Sequence, residues 1–369
     1  MSSSIRNVQG LRQERIQASP QFASGRFANT YASTAPEAAH AGMTLSMFGE
    51  MMFGGTGRRP VRSLPVVDPL RGWARRADTG LRATWLGHST MLLEIDGARV
   101  LTDPVWGQRA SPFSFAGPKR FQPVPVGIGS LPPLDAVLIS HDHYDHLDRA
   151  SVRALATLDV PFVTSLGVGR HLEAWGVPPE RIVELDWWEQ ARLSCGLVIT
   201  AAPSHHFSGR GLGDRNGTLW SSFALRGERH AVFFSGDTGL SAAFGEIGRR
   251  LGPFDLAAIE VGAFDPAWGD IHLGPVNALQ AWKELGSGQL LPVHWGTFDL
   301  ALHDWHQPAE VLLENAPEGL VMPRLGQAFE PAQVDGVDPW WRALAQARNP
   351  VRGIGWSGNK QTQLRTNRP

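Results

Sequence analysis

Ser140-His141-Asp142-His143-Tyr144-Asp145-His146-Leu147-Asp148 decides the reading of this chain. Three histidines and an acid, His141, His143, Asp145 and His146, fall within six positions, directly after the apolar run Asp135-Ala-Val-Leu-Ile-Ser140. Imidazole nitrogen and carboxylate oxygen are the donors that zinc and its borderline-hard neighbours take. One helix presents ligands at i and i+3 or i+4, and one strand at i and i+2. Four donors packed more tightly than either period suit a loop wrapped around more than one ion. The plain alternative is a solvated polar loop. Against it, further donors recur downstream, each a few residues after a short apolar stretch.

Those stretches run along most of the chain. Residues 82–88 and 90–95 have strand content, Asp96-Gly97 is a tight-turn dipeptide, and residues 98–102 return from it. A Pro- and Gly-rich loop follows over 104–133. Strands are expected at 135–140, 161–164, 181–185, 197–201, 219–225, 230–234, 254–261 and 289–294, and helices at 148–157, near 167–175 and at 275–285. Hairpins followed by alternating strands and helices indicate an α+β protein with mixed sheets covered by helices. His141, His206, Asp237 and His294 each follow one of these strands, so parallel packing would bring them to one rim. Asp237, on the turn Ser235-Gly-Asp-Thr-Gly239, is placed to bridge two ions, with its flanking glycines permitting close approach.

Composition bounds the rest. A chain of 369 residues with 42% hydrophobic content and 14 Trp can fill a sizeable core. Net charge is −1, which argues against a nucleic-acid partner. The single cysteine, Cys195, rules out a thiolate site and is expected in the core. Residues 1–64 read as a partly ordered extension, 65–337 as the catalytic domain and 338–369 as a polar tail. The start lacks a secretory pattern and no run reaches the roughly 18 apolar residues of a spanning helix, so the expected location is cytoplasmic. The stretch Met43-Thr-Leu-Ser-Met-Phe-Gly-Glu-Met-Met-Phe53 is read either as a strap packed on the domain or as a peripheral membrane contact.

His141-x-His-x-Asp-His146, a distant histidine, Gly-Asp237-Thr-Gly and a final His294 resemble the metallo-β-lactamase superfamily. Trp85-Leu-Gly-His-Ser-Thr90, Leu101-Thr-Asp-Pro104, Phe115-Ala-Gly-Pro-Lys119, Gly252-Pro-Phe-Asp-Leu256 and His294-Trp-Gly-Thr-Phe298 resemble its N-acylphosphatidylethanolamine-hydrolysing phospholipase D-like branch. The resemblance covers roughly residues 70–330. It implies a four-layer αβ/βα sandwich holding two divalent ions, zinc foremost: one on His141, His143 and His206, the other on Asp145, His146 and His294, with Asp237 bridging. His206, just before Phe207, matches the branch better than His205, which becomes a supporting residue.

Asp145 is assigned to orient the nucleophile, and the implied reaction is attack of a metal-bridging hydroxide on a phospholipid phosphodiester. His272 is read as contacting the leaving group, or as an ordinary loop histidine. His88 is read as a buried supporting residue. Asp103 either orients a metal-binding histidine or merely starts the turn before Pro104. Trp187, Trp188, Trp220, Trp268 and Trp295 are read as packing residues. Two other functions stay open: a lactonase-like or soluble-phosphodiester hydrolase on the same two-ion site, and a metal-binding module without catalysis.

Overall fold

The computed structural model describes residues 2–35, 57–265, 270–315 and 318–345. The Met43–Phe53 stretch and Trp268 lie outside the described residues. The chain opens with helix α1 (Ser2–Ala18) and a ribbon, β1 (Phe22–Ala23) and β2 (Arg26–Phe27). Then follow β3 (Leu81–Gly87), β4 (Thr90–Ile95), β5 (Ala98–Thr102), β6 (Ala136–Ile139), α2 (Arg149–Leu155), β7 (Phe162–Ser165), α3 (Gly169–Ala174) and β8 (Ile182–Leu185). The second half holds β9 (Gln190–Arg192), β10 (Val198–Ala202), β11 (Ser222–Arg226), β12 (Ala231–Phe234), α4 (Ala243–Leu251), β13 (Phe254–Glu260), α5 (Gly274–Leu285), β14 (Ser287–Val293), α6 (Gln307–Asn315) and β15 (Ala328–Phe329).

Two mixed sheets result. One has the order β15-β3-β4-β5-β6-β7-β8, the other β14-β13-β12-β11-β10-β9. The strand period of two sorts their side chains. Met91, Leu93 and Ile95 of β4 enter the core shared with Ile199, Phe223 and Phe233 of the second sheet. Leu92, Leu101, Val137 and Ile139 face the other way and pack on Val152, Leu155 and Leu172 of α2 and α3. On the far side, Ile247, Ala278 and Leu285 of α4 and α5 cover the second sheet. The layers are therefore helix, sheet, sheet, helix.

Strand directions place the site. β5, β6, β7 and β8 run parallel, as do β12, β13 and β14. β10 runs the same way as β12, because β11 pairs antiparallel with both. The carboxyl ends of β6, β10, β12, β13 and β14 open onto one edge of the sandwich. Asp148 caps α2 by accepting from the backbone of Ala150 and Ser151, which ends the His-rich loop sharply.

The extension expected over residues 1–64 is packed on the domain where it is described: Phe27 is fully buried beside Trp187 and Trp220, and Arg12 is buried between Glu173 and Glu184. Two expectations meet a different outcome. The polar stretch expected from residue 338 puts Trp340 and Trp341 into the core against Trp295. Cys195 is exposed, because it sits in the turn closed by Leu193 and Gly196, not in the strand that follows.

Candidate metal centre

The loop after β6 turns back on itself through backbone bonds from His146 and Leu147 to the carbonyl of His143. That turn brings His141, His143, Asp145 and His146 to the sheet edge, where the second sheet brings His206, Asp237 and His294. Donor atoms of His141, His143, His206 and Asp237 all lie within 4.8 Å of one another, and so do those of His88, Asp145, His146 and His294. Asp237 stands between the two groups. Its Oδ2 is 3.1 Å from His146 Nε2 and 3.7 Å from His206 Nε2, while Oδ1 is 3.3 Å from His294 Nε2.

A test of whether these residues suit cations is where each imidazole spends its other nitrogen. His146 gives Nδ1 to Asp103 at 2.7 Å, and His206 gives Nδ1 to the Ile271 carbonyl at 2.8 Å. His141 Nδ1 meets the Ser140 hydroxyl at 2.9 Å. In each case Nε2 faces the other donors. His146 Nε2 and Asp237 Oδ1 are buried with no hydrogen-bond partner. His141 Nε2 lies 2.8 Å from His143 Nδ1, and His206 Nε2 lies 3.3 Å from that same atom. Lone pairs converging in a buried space are unfavourable alone and suit a shared cation. The donor set fits divalent metal.

Electrostatics points the same way. Burial holds His141 and His206 well below the usual imidazole range, keeping them in the neutral, ligating form. Burial also opposes charge on His294, but Asp237 and Asp145 outweigh it and push His294 up to about 10. Burial disfavours the carboxylates too, yet His146 holds Asp145 and Asp237 well below the usual range. The acid-rich half of the centre therefore calls for positive charge.

The supporting residues are buried in turn. Asp103, fully buried, takes His146 on Oδ2 and the Ser140 amide on Oδ1 at 2.7 Å. His88 Nε2 is 3.0 Å from Asp145 Oδ2, and its ring lies 3.9 Å from that of His294. His88 thus sits as close to the second group as the expected ligands do. His88, Asp103 and His294 adopt left-handed backbone angles, costly for such residues and tolerated where the surroundings fix them. His205 turns away from the centre, with Nε2 3.3 Å from Asp270. The glycines around Asp237 serve mainly backbone contacts: a Cβ on Gly236 would meet Ser140 at 2.7 Å, and one on Gly239 would meet the Asp270 carbonyl.

Two contributors escaped the sequence reading. Glu260, at the end of β13 and fully buried, accepts from His272 Nδ1 at 3.0 Å and from the amides of Thr238 and Leu273. A lone glutamate ending an apolar strand was the available signal. Asn29 accepts from the His206 amide at 3.1 Å, donates to the His206 carbonyl at 3.0 Å and accepts from Trp220 Nε1 at 3.0 Å. Nothing in its local sequence marks it, since its partners are distant in the chain. Trp187, Trp220 and Trp295 are buried packing residues, and Trp188 is partly buried.

The geometry has its counterpart in known proteins. The family described as "Beta-lactamase superfamily domain" matches residues 98–295. An uncharacterised protein of Mycobacterium tuberculosis is 50% identical over 293 residues, 77% of each chain. N-acyl-phosphatidylethanolamine-hydrolyzing phospholipase D 1 of Caenorhabditis elegans is 39% identical over 250 residues, 64% of this chain and 70% of that one. Among solved structures, an isothiocyanate hydrolase from Delia radicum gut bacteria superposes with a TM-score of 0.56 at 22% identity, covering 68% of this chain and 98% of its own, and so shares the fold. The chain is a metal-dependent hydrolase of the metallo-β-lactamase superfamily, in the branch whose named members include N-acyl-phosphatidylethanolamine-hydrolysing phospholipase D.

Proposed function

We propose that the chain is a two-metal phosphodiesterase that cleaves N-acylphosphatidylethanolamine-type phospholipids by a phospholipase D reaction. The observation that carries this reading is the 39% identity to the Caenorhabditis elegans enzyme across 70% of its length. His141, His143 and His206 would hold one ion, Asp145, His146 and His294 the other, and Asp237 both, with zinc the natural metal for imidazole and carboxylate donors. Divalent ions held there would supply Lewis acidity for water and for the phosphoryl oxygens.

The remaining chemistry falls to side chains. Asp145 accepts a hydrogen bond from the attacking water and aligns it with phosphorus, while His88 fixes Asp145 Oδ2. Water oxygen bonds to phosphorus as the bond to the N-acylethanolamine oxygen breaks. That oxygen needs a proton, and His272 would give it. Burial opposes its imidazolium, but Glu260 outweighs burial and holds His272 above the usual range. Glu260 occupies Nδ1, leaving Nε2 as the donor. The products are phosphatidic acid and an N-acylethanolamine.

The test is release of N-acylethanolamine and phosphatidic acid from N-acylphosphatidylethanolamine in mixed micelles. Metal-reconstituted protein is expected to release both in equal amounts, and chelated protein neither. Absence of release by protein carrying its full metal would overturn the lipid assignment.

A further inference from the structure

We propose that the tip of the 108–120 loop, carrying Phe113 and Phe115, is a membrane-contact element that seats the rim of the metal centre on an anionic lipid surface. This rests on the phospholipid reading for its purpose, but lipid binding itself requires no turnover.

The loop is a rigid projection rooted in the site. Its base is an antiparallel bridge between Arg109 and Lys119, with backbone bonds from Ala110 to Pro118 and from Arg120 to Gln108. Arg120 anchors that base by donating to the Val105 and Gly107 carbonyls, and it stacks 4.7 Å over Phe298, whose ring lies 5.2 Å from His88. Gly107 donates to Asp148, just past the His-rich loop. Arg109 braces the tip from within, donating to the carbonyls of Ser114 and Gly117.

What this scaffold presents is apolar. Phe115 is 79% exposed and Phe113 55%, with ring centroids 5.5 Å apart. Among the described residues they are the two exposed aromatic side chains, and they are neighbours. A braced aromatic pair held in water, not folded against its own loop, marks a contact surface. Leu212 is also fully exposed, on a loop tied to the same His-rich segment through Gly209 to Asp142 and Tyr144 to Arg210. The charge pattern selects the partner. Between Asp103 and Asp135 the sequence has no acid, whereas Arg109 and Lys119 pair at the base of the loop and Lys119 is exposed. Apolar tips with a lysine exposed at their base match acyl chains beneath anionic headgroups.

The experiment is vesicle partition of full-length, metal-loaded protein. Vesicles are phosphatidylcholine alone or with phosphatidylglycerol. The parent protein is expected to partition, more strongly with phosphatidylglycerol. Phe113→Ser with Phe115→Ser should weaken partition at least tenfold on both, while turnover of a monomeric short-chain phosphodiester stays at the parent value. Lys119→Gln should reduce only the gain from phosphatidylglycerol. In a second arm, Phe115→Trp should add emission that shifts to the blue on vesicles and is quenched by brominated acyl chains. A parent that does not partition, or a double variant that partitions like it, overturns the proposal. Phenylalanine-dependent partition without N-acylphosphatidylethanolamine cleavage would sustain this surface and remove the phospholipase assignment alone.

Discussion

The two sheets supply the metal centre in opposite ways. The first delivers His141, His143, Asp145 and His146 from one loop after β6, donors that are neighbours in the chain. The second delivers His206, Asp237 and His294 from the ends of β10, β12 and β14, brought together only by the strand order β14-β13-β12-β11-β10. Half of the centre is therefore close to a local structure, while the other half exists only once the second sheet is formed and docked. The docking is stitched at the site itself. The Ser221 amide donates to the Ser140 carbonyl at 3.2 Å, Ser165 Oγ bonds both Ser140 O and Ser221 Oγ, and Gly236 leaves no room for a Cβ against Ser140. Metal binding and assembly of the sandwich are coupled on these grounds.

The sharpest way to break this comparison is at Asp237, where the halves meet. Asp237→Ala is expected to lower hydrolysis on the order of 10³-fold, since several kcal/mol of charge stabilisation is at stake. It should also lower bound metal, read by elemental analysis of dialysed protein. Retention of two equivalents would show that the two groups hold ions independently. The next effect separates the adjacent histidines. His206→Ala should lose about one equivalent of metal, because Nε2 faces His143. His205→Ala should keep both, because its ring faces Asp270. Equal retention in both variants would sink the assignment of His206.

The same contrast explains what could be read from the chain. β3 to β8 and the His-rich loop were legible because hairpin signals, alternation and ligand spacing are all local. The ends of β10, β12 and β14 were legible only as strands followed by donors. Glu260 and Asn29 were not, for a physical reason. Glu260 acts through His272 and two amides that the fold brings to it, and Asn29 reads the backbone of His206 from a segment with no apolar period. α1 was missed likewise: it has no marked apolar face, and Arg12 docks it on Glu173 and Glu184.

Asn29 gives a prediction of middle size. Its amide supplies one donor and two acceptor contacts that hold His206 and Trp220, and alanine removes all three. Asn29→Ala is expected to weaken metal affinity about 10–100-fold, as loss of a ligand's support commonly does, measured by competition with a chelating dye. Asn29→Asp keeps the acceptor contacts but sets a carboxylate against the His206 carbonyl, so it should not restore affinity. Parent-like affinity in Asn29→Ala would mean that β10 and its turn hold His206 without help from the N-terminal segment.

The smallest effect tests the first sheet away from the metal. Glu330, beside β15, accepts from the Asp78 and Thr79 amides at 2.9 and 2.6 Å and from Arg82 at 2.9 Å. Burial raises its pKa, but those amides and Arg82 prevail and lower it to about 2. A carboxyl depressed on folding contributes stability that is fully present above its unfolded value and lost as pH falls through its folded one. Glu330→Gln should therefore cost about 1–3 kcal/mol at neutral pH, read by denaturant unfolding, and the gap from the parent should close as the pH approaches 2. Metal content at neutral pH should not change. A variant that lost metal would show that the outer edge of the first sheet supports the His-rich loop, and that the nearly local half of the centre is less local than its spacing implies.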